Sequence, residues 1–183
     1  MAVLQDLKYR QWFRGADVDG DGFITQRDVR LMSERYIAAR GAAADAATAH
    51  RLTEGMDAFW SNVIAPMDQD GDGKVDLREM TEGFRRVLTD PALYPQQIEP
   101  VTDCFLDLSD LDADGKIDQV EFRQIFESVA DVPSEDCAAV FAALDLDGSG
   151  RLDRAEFHKA VAEFFYGEDP DAPANHLFGR LAE

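Results

Sequence analysis

Twelve-residue stretches beginning at Asp17, Asp68, Asp110 and Asp145 repeat one arrangement of side chains, and a chain organised around such repeats has few ways to fold. Oxygen-bearing side chains stand at positions 1, 3, 5 and 12 of each. They are Asp17, Asp19, Asp21 and Asp28 in loop one, and Asp68, Asp70, Asp72 and Glu79 in loop two. Loop three has Asp110, Asp112, Asp114 and Glu121, and loop four has Asp145, Asp147, Ser149 and Glu156. Alternate residues of a tight turn thus aim oxygen at one point, and a later carboxylate closes the far side. That shell suits Ca²⁺, which takes six to eight oxygens at about 2.3–2.6 Å. Position 6 is Gly22, Gly73, Gly115 or Gly150, where the reversal of the chain needs a backbone conformation that a Cβ opposes. Position 7 is Phe23, Lys74, Lys116 or Arg151, a spread of types that makes sense if only the backbone carbonyl coordinates. Position 8 is Ile24, Val75, Ile117 or Leu152, as a short antiparallel pairing between neighbouring loops would require.

A single Asp-Gly turn is commonplace, and acidic clusters are usually solvated surface. Four registers that agree at positions 1, 3, 5, 6, 8 and 12 leave little to that reading. The pattern is that of the EF-hand calcium loop. Before each loop stands an apolar pair, Trp12 and Phe13, Val63 and Ile64, Phe105 and Leu106, Val140 and Phe141, on one face of an incoming helix. After each loop come Val29, Met80, Phe122 and Phe157, continued at helical spacing by Met32 and Tyr36, Phe84 and Val87, Ile125 and Val129, Val161 and Phe164. Each helix-loop-helix has one apolar side that it cannot bury alone, so the hands are expected to pair, first with second and third with fourth. The fold class expected is all-α, four hands in two pairs packed into one body. Residues 1–90 would form the first pair, 91–168 the second, and 169–183 a tail.

Composition limits the function. The formal charge is −19, and eighteen of the 37 acids lie at positions 1, 3, 5, 9 and 12 of the loops. Four bound Ca²⁺, eight positive charges, would bring the total to −11. Without metal the crowded carboxylates repel one another, so metal binding and folding are expected to be coupled. The same charge argues against nucleic acid and anionic membranes as partners. The apolar runs are too short to span a bilayer and the first residues lack the layout of a signal peptide, so a cytoplasmic monomer is expected. Cys104 and Cys137 fit that compartment as thiols on helices, with a disulfide between them left open. His50, His158 and His176 are scattered, with no nucleophile at a spacing that suggests catalysis, so no enzyme is expected.

The loops differ. Loops two and three each carry five acids, because Asp76 and Asp118 at position 9 join the others, and these loops are expected to bind most tightly. Loop four has Ser149 where the others have Asp. Loop one ends in Asp28, a methylene shorter than Glu, which points to a mixed Ca²⁺/Mg²⁺ or weaker calcium site, with an empty loop as the alternative. Between hands two and three, Pro91 and Pro95 rule out a continuous helix, so the halves can fold against each other. Between hands one and two, Gly41 ends one helix and a long incoming helix is expected to run to about Met67.

The four loops in 183 residues, the long first connection, the proline-broken middle and the tail from Asp169 to Gly179 together resemble the sarcoplasmic calcium-binding proteins. The resemblance is closest to their bacterial relatives of the calerythrin type, and an arginine-over-lysine bias of 14 to 4 is compatible with such a source. It covers nearly the whole chain. It implies a compact helical fold and a role in buffering or transporting intracellular Ca²⁺. One departure is that relatives often have a loop, commonly the second, that cannot bind, whereas Asp68, Asp70, Asp72 and Glu79 are intact here, which favours up to four ions. The alternative role is a sensor that opens an apolar groove to a protein target. With five Met against twelve Phe, the chain is poorer in the adaptable residue such grooves use. The apolar Leu177 and Phe178 could fill a groove of their own protein, or the proline-containing tail could be unstructured. Calcium-triggered photoproteins share this architecture, and Trp12, Trp60 and Tyr36 could line a luciferin cavity, although ordinary core packing explains them better.

Overall fold

The apolar residue at position 8 of each loop decides how the hands meet. The computed structural model describes residues 2–41, 46–87, 94–129, 133–178 and 181. In it Ile24, Val75, Ile117 and Leu152 are all fully buried. They lie on two-residue strands: β1 (Phe23–Ile24), β2 (Val75–Asp76), β3 (Ile117–Asp118) and β4 (Arg151–Leu152). β1 pairs antiparallel with β2, setting Ile24 opposite Val75, and β3 pairs with β4, setting Ile117 opposite Leu152. The expected pairing of hands, first with second and third with fourth, is the one observed.

Each loop joins an incoming to an outgoing helix. Loop one lies between α1 (Ala2–Ala16) and α2 (Gln26–Arg40), and loop two runs into α4 (Leu77–Val87). After a short α5 (Tyr94–Gln97), loop three lies between α6 (Glu99–Ser109) and α7 (Gln119–Val129), and loop four between α8 (Ser134–Leu144) and α9 (Arg154–Tyr166). The apolar pairs read from the sequence are on the inner faces: Phe13, Val63, Ile64, Leu106, Val140 and Phe141 are buried, as are Val29, Met80, Phe122 and Phe157 beyond the loops. Val87 and Val129, expected on the same stripes, have side chains outside the described residues.

The helix entering hand two reaches Met67 as expected, but not as one α-helix. After α3 (Ala46–Phe59) the chain makes a π turn over Trp60–Ile64 and a 3-10 turn over Ala65–Met67. Pro66 has no N–H to give to the carbonyl four residues back, so a regular helix cannot continue through it. The turn before it widens until the Ala65 N–H meets the Trp60 carbonyl, and the turn after it tightens, with the Asp68 N–H on the Ala65 carbonyl. Gly41 closes α2 with φ at +56°, as its sequence position suggests.

The two halves share one core. Phe84 of hand two lies 5.4 Å from Phe165 of hand four between ring centroids, and Tyr36 of hand one lies 5.1 Å from Phe105 of hand three. Trp12 is edge-on to both Phe59 and Phe84, and Trp60 packs against the same core. At one end Lys8 of α1 is buried and donates to the carbonyls of Glu163 and Gly167 at 3.2 and 2.7 Å, where the negative end of the α9 dipole favours a cation. Burial pulls the Lys8 ammonium below its ordinary range, while Glu163 and Asp169 pull the other way. The division expected between residues 90 and 91 falls within 88–93, outside the described residues.

Of the two alternatives for the tail, the structure takes the plug. A 3-10 turn over Pro173–His176 carries Ala174, Asn175 and Leu177 into buried positions. Phe178 stands edge-on to Phe164 at 4.8 Å, and its carbonyl accepts from Gln11 Nε2 at 2.7 Å. Asn175 Nδ2 donates to the carbonyls of Asp169 and Pro170, both at 2.9 Å, which ties the bend together. Cys137 is buried, and burial first, then Glu127 and Asp136, pushes its thiol up. The Cys104 side chain, and with it the open question of a disulfide, lies outside the described residues. Among the described residues no helix is long and apolar enough to cross a membrane.

Candidate metal centres

Position 1 organises each loop before any ion is considered. Its carboxylate accepts the N–H of the position-6 glycine in all four loops: Gly22 to Asp17 and Gly73 to Asp68 at 2.9 Å, Gly115 to Asp110 and Gly150 to Asp145 at 2.8 Å. Each of those glycines has φ between +79° and +89°. Position 4 makes the same demand, which the sequence reading missed. Gly20, Gly71 and Gly148 stand there with φ of +73°, +77° and +69°, and loop three puts Ala113 there at +62°. The signal was present, since three of the four loops show glycine at that place.

Position 9 also does more than the sequence suggested. In loops two and three it counts among the acids of the site, yet in every loop it is also the N-cap of the outgoing helix. Thr25 and Asp153 form full capping boxes with Asp28 and Glu156. The Glu79 N–H donates to Asp76 at 2.7 Å and the Glu121 N–H to Asp118 at 2.9 Å in the same way.

Position 12 is a buried acid in every loop, at 1 % exposure for Asp28, 3 % for Glu79, 7 % for Glu121 and 9 % for Glu156, and Asp110 of loop three is buried with it. One carboxylate oxygen takes an N–H from the start of the loop and the other takes the position-9 N–H. For Glu121 these are Leu111 at 2.7 Å and Asp118 at 2.8 Å; for Glu156 they are Leu146 at 2.8 Å and Asp153 at 3.1 Å. For Glu79 they are Gln69 at 3.0 Å and Asp76 at 3.1 Å. Asp28 makes the equivalent bonds, from Val18 at 3.1 Å and Thr25 at 2.9 Å, and adds the Thr25 hydroxyl at 2.6 Å. The shorter side chain still reaches the centre.

Carboxylate oxygens converge in every loop. Oxygens of Asp17, Asp19 and Asp28, of Asp68, Asp70 and Asp72, of Asp110, Asp112 and Glu121, and of Asp145, Asp147 and Glu156 lie within 4.8 Å of one another. Two ligands on opposite sides of a Ca²⁺ would be about 5 Å apart, so each set can share one such ion. The all-oxygen, mostly anionic donor set is that of a hard cation. Outside these sets stand Asp21, Glu79 and Asp114. Ser149 Oγ lies 2.9 Å from the carbonyl of Arg151. Phe23, Lys74, Lys116 and Arg151 were expected to offer only carbonyls, and the side chains of Phe23, Lys74 and Arg151 are engaged elsewhere. Lys74 Nζ stands 4.7 Å from the ring centroid of Phe23 across the β1–β2 pair. Arg151 reaches from loop four to pair with Asp114 of loop three, and Arg27 pairs with Asp19 at 2.8 Å.

Two carboxyls are held below the usual carboxylate range. For Asp68 the chief cause is the Gly73 N–H, followed on the same side by Gly71, Asp72 and Asp70. For Asp147 it is the Ser149 hydroxyl and then its N–H, with Asp145 and the Lys116 charge adding to them. Loops that prefer ionised acids are ready for a cation.

A family model described as EF hand matches residues 10–32, 67–84, 105–126 and 138–162, one segment on each loop. The chain belongs to the EF-hand family. It has four EF-hands and binds calcium through them. It is 26 % identical over 166 residues to an uncharacterised calcium-binding protein of Caenorhabditis elegans, a match that covers 90 % of this chain and spans 64 % of that relative's length. Its fold is similar to that of a Streptomyces coelicolor calcium-binding protein, with a TM-score of 0.77 and 25 % identity over 90 % of this chain and 99 % of that one. A sarcoplasmic calcium-binding protein from amphioxus superposes with a TM-score of 0.78 at 19 % identity over 97 % of each chain. The EF-hand protein thus has the fold of the sarcoplasmic calcium-binding proteins.

Proposed function

We propose that this EF-hand protein is an intracellular Ca²⁺ buffer that takes up to four ions and stays closed as it does so. Its ligands are the acids at positions 1, 3, 5 and 12, Ser149, and the carbonyls of Phe23, Lys74, Lys116 and Arg151. The observation that carries the buffer reading is the seated tail. Leu177 is fully buried and Phe178 lines the central apolar cavity with Trp12, Tyr36, Phe84, Phe105 and Phe165. A sensor must show such a surface to its target, and here the chain covers it with its own end. That cavity has a volume of about 30 Å³, room for water rather than for a multi-ring ligand, which supports ordinary core packing of Trp12 and Tyr36 over a luciferin site.

Loop one is a mixed site in this reading. Asp28 joins Asp17 and Asp19, which favours occupancy over an empty loop, while the short side chain suits the smaller shell of Mg²⁺. The net charge of −19 supports a monomer without nucleic-acid or membrane partners. No residue is assigned a catalytic role.

The sensor reading stands second, and one observation favours it: the Streptomyces neighbour is described in terms of prokaryotic calcium-mediated regulation. Binding of a fluorescent apolar dye, with chelator and with Ca²⁺, separates the two. The full-length buffer shows no calcium-dependent rise in dye signal, and deletion of residues 169–183 exposes the groove and raises it. A rise in the full-length chain on adding Ca²⁺ would favour the sensor. Melts followed by circular dichroism test the coupling of metal and folding, with the midpoint expected well above its chelator value in millimolar Ca²⁺.

A further inference from the structure

Loops two and three hold the same acids, Asp at positions 1, 3, 5 and 9 and Glu at position 12, and both have Lys at position 7. Acid count alone would make them equal. In loop two, Asp72 accepts the Lys74 N–H on Oδ1 at 2.9 Å and shares a centre with Asp68 and Asp70. In loop three, Asp114 accepts the Lys116 N–H on Oδ1 at 3.0 Å in the same manner. Its Oδ2, however, pairs with Arg151 Nη1, and Asp114 stands outside the centre formed by Asp110, Asp112 and Glu121.

We propose that Arg151 is a tethered competitor of Ca²⁺ for Asp114, an affinity-determining residue that loop four contributes to loop three. The inference rests on the calcium reading of the loops. The β3–β4 pairing sets Arg151 opposite Asp118, so the guanidinium crosses to the neighbouring loop by construction. At position 7 a Ca²⁺ loop uses the carbonyl, which leaves the side chain spare. The first pair of hands lacks this device between its loops: the residue that meets Lys74 across the strands is Phe23, an uncharged ring, and the pairing of Arg27 with Asp19 stays within hand one and leaves Asp72 alone. An ion entering loop three must therefore take Asp114 from a cation already holding it, whereas an ion entering loop two finds Asp72 turned inward.

Arg151 and Asp114 are 47 % and 31 % exposed, so their attraction is screened. The affinity difference expected is that of an exposed ion pair, about 2- to 5-fold.

The position-6 glycine amides report each loop separately, since each donates to its own position-1 acid. Calcium titration of the full-length chain, followed by ¹⁵N–¹H correlation spectra at Gly22, Gly73, Gly115 and Gly150, gives four midpoints. In the wild type Gly115 responds at higher free Ca²⁺ than Gly73. Arg151→Gln lowers the Gly115 midpoint by about 2- to 5-fold, leaves Gly22 and Gly73 unchanged and moves Gly150 less than Gly115, while Arg151→Lys retains most of the wild-type gap. An unchanged Gly115 midpoint in Arg151→Gln, or equal shifts at all four glycines, would overturn the proposal. If no glycine responds to Ca²⁺ in the wild type, the calcium reading fails first and takes this one with it.

Discussion

Hand two closes its loop with glycine where hand three uses alanine, and the two loops also hold their first acid differently. In loop two the Gly71 N–H reaches Asp68 Oδ1 at 2.7 Å, while in loop three it is the Asp114 N–H, one residue later, that reaches Asp110 Oδ1 at 3.1 Å. Ala113 is left with φ at +62°, a conformation that costs an L-residue roughly 1–2 kcal/mol. The helices behind the loops differ as well. Hand two packs Met67 against Gly83, and the corresponding positions of hand three are Ser109 and Ile125, all of them buried. One hand puts its bulk on the incoming helix and the other on the outgoing helix. Two sites with identical acids are thus not equivalent sites. What an ion meets depends on how freely each carboxylate can turn to it and on what the loop backbone has already spent to form.

Removing the position-12 acid should have the largest effect and should erase the comparison. Glu79→Gln and Glu121→Gln each take away a buried charge that holds both ends of its loop, and calorimetry should show a loss on the order of 10- to 100-fold in affinity at that loop alone. Equal losses in the two loops would place their difference elsewhere, at positions 4 and 5. Gly83→Ala breaks hand two where hand three is tolerant: a Cβ there would overlap Cγ and Sδ of the buried Met67. The expected cost is about 1–2 kcal/mol, read as a lowered thermal midpoint. Gly83→Ala combined with Met67→Ala should cost less than the sum of the two single changes, since the added Cβ enters the space Met67 leaves.

Ala113→Gly works in the opposite direction, bringing loop three closer to loop two. Relief of the left-handed backbone should exceed the added freedom of the unfolded chain and stabilise the metal-free protein by about 0.5–1 kcal/mol in urea unfolding. The smallest effect is on pH. The carboxyl of Asp68 is held below its ordinary range chiefly by the Gly73 N–H, so its folded pKa lies below its unfolded one. Whatever it contributes is present above the unfolded value, near 4, and is lost as pH falls through the folded value. In metal-free protein the Gly73 amide resonance should titrate with a midpoint below the ordinary carboxylate value, and a midpoint at or above it would contradict the hydrogen bonds seen here.

Much of the site was legible because calcium loops are local. Ligands within twelve residues are placed by the turn itself, so Asp17, Asp68, Asp110 and Asp145 and their glycines could be assigned from spacing alone. The glycines at position 4 were equally visible and were overlooked. The capping role of Thr25 and Asp153 carries a signal too, a Thr or Asp followed three residues later by an acid, but it was hidden under the ligand reading of the same residues. The π turn before Pro66 could have been expected from the proline, although whether a helix ends or adapts there depends on the packing around Val63 and Ile64.

The sequence by itself determined the repeat, the donor atoms, the helical periods that bury one face of each hand, and the excess of negative charge that a divalent cation relieves. These are properties of residues close together in the chain. Tertiary packing alone sets Phe178 against the core, Lys8 at the end of α9, and Arg151 on Asp114. Those contacts join residues that are 14, 37 and more than 150 positions apart. Their geometry follows from how the pairs of hands dock, which no local spacing encodes.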